Sequence, residues 1–573
     1  MRIKNNYEPK ILYTLTINNE IMSENIFLKI LNTGEKIETP QGVSLLSIAK
    51  KIGESRKYFG AYVNNKAKSL SYEVFKPKQI QFIDYSDPEG QRMYFRSLFF
   101  VLMRATENLF PEAKLSIEFS VSKGYYCNIS GQKSEFVIDD IFALGEEMRR
   151  IISLDLPFVR SEITTDKALS LFASKGYYEK IKVLESSGKI FTPIYTLDGM
   201  QDFFYGELVP STGYLKLFDL VKYYSGMLLR VPLSQNKDEM SGIVLQNTMY
   251  DVFLENREWL NIIGVKGIGS LNIAIEQRDI DEYIKISEAL HEKKVAYIAD
   301  EIGKNKNKKI ILISGPSSSG KTTFAKRLAI QLKVLGIKPV NISLDNYFVD
   351  RDKTPLDENG EYDFESINSL DVKFFNSNLV DLLDGKEVLL PKFSFETGER
   401  FFDGEKLKMT DNSVLVIEGI HGLNPMLTPS VSSDNKYKIY VSALTAISMD
   451  GHNRIPTTDN RLIRRIVRDF KYRNYSAQNT IKRWPSVRRG EDKYIFPYQE
   501  EADIMFNSAL FYEIGVLKKF VEPMLLSVPE TCVEYREAYR LLNFLSYISP
   551  ISTDQIPSTS ILREFLGGSG FEY

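Results

Sequence analysis

Gly315, Gly320, Lys321 and Thr322 fall at the spacing G-x-x-x-x-G-K-[ST], inside the run Gly315, Pro316, Ser317, Ser318, Ser319, Gly320, Lys321, Thr322, Thr323. Each residue type has a task beside a polyphosphate. The glycines let backbone N–H groups turn inward around phosphate oxygens, and the N-terminus of a following helix adds donors and the positive end of its dipole. Lys321 can reach the β- and γ-phosphates, and the Thr322 hydroxyl can ligate Mg²⁺. Two carboxylates complete the pattern, Asp345 closing the apolar stretch PVNISL and Glu418 closing VLVI. A carboxylate facing the γ-phosphate can take the proton of an attacking hydroxyl, and carboxylates and water suit a hard divalent cation. Arg461, Arg464, Arg465 and Arg468 share one predicted helix, with the pairs 461/465 and 464/468 at i,i+4. Like charges at that spacing repel unless an anion lies between them, and a triphosphate is such an anion. The sequence therefore predicts a nucleoside triphosphate site over 315–323, with these arginines closing on the phosphates as a lid.

The flanking segments are those such a loop needs. Ile310 to Ile313 reads as a buried strand, and an amphipathic helix follows with Phe324, Ala325, Leu328, Ala329, Leu332 and Leu335 on one stripe, stopping at Gly336. Strand and helix signals alternate from 310 onward, which predicts a parallel α/β sheet with Asp345 and Glu418 at the C-terminal ends of its strands. Ligands of open parallel sheets lie outside those ends.

Upstream the patterning changes. IFLKIL, a turn at Asn32 to Gly34, KIETP, a helix opened by Ser44, two short strands about Asn64-Asn65 and a closing KQIQFIDY predict a small β-grasp-like unit over 1–85. The alternating ILYTLTI before it reads as an extra edge strand. A helix is expected to start at Arg96 in the unit 86–235, and residues 236–308 read as a partly helical connector ending in a solvated Lys304–Lys309 hinge. The region 309–573 then carries the loop and a C-terminal extension.

Composition bounds the function. A chain of 573 residues implies several domains, and 43% hydrophobic with 26% charged residues is a globular balance. A net charge of −2 argues against a broad nucleic-acid-binding face. Cys127 and Cys532 are the only cysteines, which suggests a reducing compartment without a disulfide framework. No apolar run approaches the roughly 20 residues of a membrane span, and MRIKNNYEPK lacks a signal-peptide core, so the cytoplasm is expected.

Set in order, GPSSSGKTT at 315–323, SLDNYF at 343–348, YDFES at 362–366, PKFSFETGER at 391–400, VIEGIHGL at 416–423 and DNRLIRRIVRD at 459–469 resemble the uridine kinase/phosphoribulokinase family. The resemblance implies ATP and Mg²⁺ as cofactors, with Asp345 as proton acceptor for the attacking sugar hydroxyl and Glu418 as the acid near Mg²⁺. Lys321 and Arg464 would serve catalysis, and Arg461, Arg465 and Arg468 would hold phosphate. Tyr347 and Phe364 would either pack a ribose or base or be ordinary core aromatics. Glu365 stands where the family's uridine kinases usually place an Asp on the ribose hydroxyls. Phe393 and Gly398 stand where those kinases carry a tyrosine and a histidine around the base. The phosphorylation machinery is matched, and the acceptor pocket is altered.

The first two units resemble the TGS domain and the second domain of threonyl-tRNA synthetases, on G-E-K at 34–36, YVNNK at 62–66 and Asp202 to Gly213. The metal-type editing cluster of that family would fall on Arg96, Phe100, Phe204 and Leu208, none of which is a zinc ligand. The expected whole is a multidomain chain with a β-grasp, an α+β unit and a P-loop α/β domain. It would be a kinase acting on the 5′-hydroxyl of a nucleoside, and a homo-oligomer. The alternatives are a sugar-phosphate kinase and an ATP-switched translation protein that binds RNA.

Overall fold

The computed structural model describes residues 25–572 apart from 55, 132–135, 359 and 395, so the expected edge strand ILYTLTI lies outside the described residues. The first unit is a five-stranded sheet in the order Lys36–Pro40, Asn25–Ile30, Lys78–Ile83, Gly60–Val63, Lys66–Ser69, with the second and third strands parallel. Its helix Leu45–Lys51 is capped by Ser44, whose hydroxyl accepts from the Ser47 N–H. Asn64 and Asn65 both adopt left-handed φ, 48° and 62°, as a two-residue hairpin between twisted strands requires.

In the second unit the helix runs Pro88–Leu109 and begins eight residues before Arg96. The apolar run that marks it in sequence starts late, but Asp87 caps the first turn at the Glu89 N–H (2.8 Å) and Pro88 supplies a helical φ. A four-stranded sheet, ordered Asp219–Tyr223, Gly226–Arg230, Gly124–Ser130, Lys114–Val121, packs with it, beside a three-stranded sheet of Val159–Thr164, Phe191–Leu197 and Met200–Asp202.

Residues 236–308 are more than a connector. Among the described residues they form the helices Asn247–Ile263, Ile268–Glu276 and Ile280–Lys304. Leu260, Ile263, Leu271, Ile284, Val295, Ile298 and Ile302 share one buried core with Phe324, Leu328 and Leu332 of the P-loop helix Lys321–Val334. Glu292 adds a carboxylate to Arg327 on that helix (2.7 Å). Leu335, placed on the buried stripe by its spacing, is instead exposed at the helix C-cap.

The C-terminal sheet has five parallel strands in the order Lys338–Ser343, Ser413–Glu418, Ile310–Ser314, Lys436–Ser442, Ile504–Asn507. Its central strand Ile310–Ser314 is buried along its whole length, as a strand covered on both faces must be. A buried ionic knot ties this region to the second unit. Asp202 pairs with Lys180 and accepts from His452 Nδ1 at 2.8 Å, and Asn453 donates to the Phe203 carbonyl at 3.1 Å.

Candidate phosphoryl-transfer site

The loop after Ile310–Ser314 depends on its first glycine. A Cβ on Gly315 would lie 2.0 Å from the Val441 carbonyl oxygen, so a side chain there would push the loop off the neighbouring strand. Ser318 takes a left-handed φ of 60° at the turn. Ser319 closes the turn by donating its N–H to the Pro316 carbonyl (3.2 Å) and is held from below by Ser508 Oγ on its own carbonyl (2.5 Å). Lys321 is buried at the helix start and donates to the Pro316 carbonyl at 3.2 Å. Burial holds its ammonium below the ordinary value, against the pull of Glu418 and Asp345.

Thr322 and Glu418, 96 residues apart in sequence, meet. Glu418 Oε1 accepts from the Thr322 hydroxyl at 3.4 Å and from Ser343 Oγ at 2.8 Å. Burial, then the charge of Asp345, pushes the Glu418 carboxyl up to about 7. Asp345 sits half-buried in the 3₁₀ turn Leu344–Tyr347, directly past its strand end, and its field reaches Lys321, Glu418 and Glu365. A hydroxyl and two carboxylates are oxygen donors of the kind Mg²⁺ takes, and a carboxyl pushed up by a neighbouring carboxylate is one that a cation would favour in its charged form. Among the described residues no group of three or more His, Cys, Asp or Glu could hold a metal ion.

The arginine helix Thr457–Arg473 is placed differently from the expected lid. Arg461 is buried, pairs with Glu491 and donates from Nε and Nη2 to the Ser317 carbonyl at 3.0 and 2.9 Å. Arg464, expected to act on phosphate, is fully buried behind the loop, paired with Glu513 and donating to Ser508 Oγ at 3.1 Å. These two are positioning residues of the loop backbone. Their carboxylates lie 30 and 49 residues further along the chain, so helical spacing alone could not reveal them. Asp459 turns to Arg540, while Asp469 forms an ion pair with Arg465 (3.2 Å) and accepts from Arg468 (2.6 Å). Arg465 also reaches the loop, from Nη1 to Ser317 Oγ at 2.8 Å.

On the acceptor side Tyr347 is a core aromatic, its hydroxyl accepting from Asn378 at 3.1 Å and its ring set against Phe375. Phe364 is half-buried beneath the Arg483 guanidinium, 5.2 Å from its centroid. Burial lifts the Glu365 carboxyl to about 7. The helix Ala477–Tyr494 approaches Glu365 so closely that a Cβ on Gly490 would lie 2.2 Å from Glu365 Cβ. Phe393 packs on Phe348, centroids 5.5 Å apart. The space above Gly398 is taken by Arg351, since a Cβ there would meet its Nε at 2.7 Å. His421, in VIEGIHGL, is a residue that the sequence reading gave no role. It is buried, and burial lowers it to about 4, so it is neutral near pH 7.

In the second unit Phe100 and Phe204 pack ring to ring at 5.2 Å. Arg96 pairs with Glu89 (2.6 Å) and donates to the Glu207 carbonyl (2.6 Å). An apolar contact and an ion pair hold the four positions in question, and Leu208 is buried with them.

Residues 310–513 match the sequence profile described as the Phosphoribulokinase / Uridine kinase family. The N-terminal region matches threonine–tRNA ligases. That of Syntrophomonas wolfei is 31% identical over 189 residues, 32% of this chain and 30% of the ligase. That of Carboxydothermus hydrogenoformans is 29% identical over 199 residues, 34% and 31%. The chain thus spans about a third of the length of these relatives. Among solved structures, a possible uridine kinase of Bacillus stearothermophilus is similar at 19% identity and a TM-score of 0.27, covering 38% of this chain and 98% of that one. D-Glycerate 3-kinase of Cryptococcus neoformans is similar at 14% and 0.23, covering 47% and 89%.

Proposed function

We propose, from a C-terminal region of the uridine kinase/phosphoribulokinase family with a P-loop kinase fold, that the protein transfers the γ-phosphoryl group of ATP to a primary hydroxyl, the 5′-hydroxyl of a nucleoside. One observation carries the reading. Lys321, Thr322, Glu418 and Asp345 come from three separate segments and converge at the C-terminal ends of adjacent parallel strands, with Thr322 and Glu418 in contact. Phosphoryl transfer asks for positioning and charge at that place rather than covalent help. The loop amides and Lys321 hold the polyphosphate. Thr322 and Glu418 hold Mg²⁺, which neutralises charge on the transferred group when bound. Asp345 accepts the acceptor's hydroxyl proton, and Glu365 with Phe364 and Phe393 lines the acceptor side.

A sugar phosphate is the second reading, favoured by Arg351 in the space above Gly398, where a guanidinium suits an anionic acceptor. The two synthetase-like units are read as regulatory or scaffolding, and RNA binding has no support from a net charge of −2. The deciding experiment is ADP release across a panel of nucleosides and sugar phosphates. Nucleoside-dependent release supports the first reading, and release with sugar phosphates alone supports the second. ATP binding without any acceptor-dependent release would leave neither standing.

A further inference from the structure

Thr323 ends the loop motif and belongs to the first turn of the P-loop helix. Both its N–H and its hydroxyl donate to one carboxylate oxygen, Glu564 Oε2, at 3.2 and 2.7 Å. Glu564 is 241 residues away in sequence and lies in the C-terminal extension. Its place there is fixed by packing. Phe565 and Leu566 are buried, Arg464 stands over the Phe565 ring at 5.0 Å, and Lys471 donates to the Leu566 carbonyl at 2.5 Å. Lys326, one turn along the P-loop helix, donates to the Glu572 carbonyl. Ile561 crowds Gly320, where a Cβ would lie 2.6 Å from its Cγ2. The extension therefore covers the first turn of the helix whose donors the motif directs at phosphate. The charge of Glu564 is felt at both Lys321 and Glu418.

We propose that Glu564 is an internal competitor of the nucleotide, holding the anion position on Thr323 that a phosphate takes when it binds. The inference rests on reading the loop as a polyphosphate site. A carboxylate and a phosphate cannot share the same two donors, and their negative charges repel across a partly buried gap. Nucleotide binding thus breaks the Thr323–Glu564 contacts and loosens the extension over residues 561–572. Glu564 sets how tightly nucleotide binds.

The test is calorimetric titration of the full chain with MgADP, on the wild type, Glu564→Gln and Lys321→Ala, with thermal melts of each. Glutamine keeps the size and an accepting oxygen but removes the charge. Glu564→Gln is expected to bind MgADP about ten- to a hundredfold more tightly, the range of one charge-assisted hydrogen bond. Equal or weaker binding by Glu564→Gln overturns the competition, provided the wild type binds and Lys321→Ala does not. Absence of MgADP binding in the wild type overturns the polyphosphate reading and this inference together. A second measurement needs no variant. Hydrogen exchange of the amides over 561–572 is expected to speed up when the wild type is saturated with MgADP, and unchanged or slower exchange there counts against release of the extension.

Discussion

Arg461 grips the phosphate loop by its backbone, with two guanidinium donors on the single carbonyl of Ser317 at 3.0 and 2.9 Å. The same side chain neutralises Glu491, which accepts from the Ser317 N–H at 3.0 Å. Both backbone polar groups of Ser317 are thus held by one buried ion pair.

Arg461→Ala should therefore behave as a structural lesion first. It leaves Glu491 buried with Arg488 as its remaining ion-pair partner (2.9 Å), and breaking a buried pair costs about 3–5 kcal/mol. The melting temperature should fall and MgADP binding weaken together. A variant with wild-type stability and only slower turnover would instead make Arg461 a phosphate ligand. The same contrast applies to Arg464→Ala through Glu513.

Asp345→Asn separates chemistry from binding. It keeps size and hydrogen-bonding reach but cannot take the proton, so kcat should fall by about 10²- to 10⁴-fold. MgADP affinity should stay within a few-fold, because Lys321 and the loop amides are untouched. Turnover within a few-fold of wild type in a steady-state assay would rule out Asp345 as the base.

Glu418 makes stability and metal binding depend on pH in opposite directions. Its carboxyl is raised from an ordinary 4.5 to about 7, so between those values the folded state binds more protons than the unfolded one. Linkage then lowers stability as pH climbs through that window, with no further loss above it. A cation requires the charged form, so Mg²⁺ affinity should rise over the same range and level off above about 7. Urea unfolding of wild type and Glu418→Gln at pH 5.5 and 8 should show the wild type losing relatively more on going to pH 8, by ~2 kcal/mol. A constant difference between the two proteins would mean that Glu418 is not raised.

Asp202 is the carboxylate that joins the two halves. Burial would raise it, but Lys180 and His452 overcome that and hold it well below the ordinary carboxylate range. A depressed carboxyl contributes its full stability above the ordinary value near 3.8 and loses it as pH falls toward the folded value. Asp202→Asn leaves the buried Lys180 with Asp450, at 3.9 Å, as its carboxylate partner and should cost about 3–5 kcal/mol at neutral pH. Calorimetry should show a lower melting temperature, or two transitions where the halves come apart. A melt superimposable on wild type would mean that the knot is energetically idle.

What the sequence determined by itself was written in short spacings. The strand–loop–helix at 310–334, Asp345 and Glu418 at strand ends, the Ser44 cap and the Asn64-Asn65 turn each depend on residues a few positions apart, whose conformational preferences act locally. That Arg96, Phe100, Phe204 and Leu208 are not zinc-ligand residue types is likewise a matter of sequence alone. Only the tertiary structure decided which charges pair. Four like charges on one helix read as a phosphate lid until the fold brought Glu491 and Glu513 to Arg461 and Arg464. Tyr347 could be pocket or core until Asn378 and Phe375 closed around it. Residues 236–308 read as a connector because amphipathic spacing tells which face is buried but not against what, and the partner proved to be the P-loop helix. Glu564 gave no sign at all, since a carboxylate 241 residues from Thr323 acquires its meaning only when the chain folds back onto the helix start.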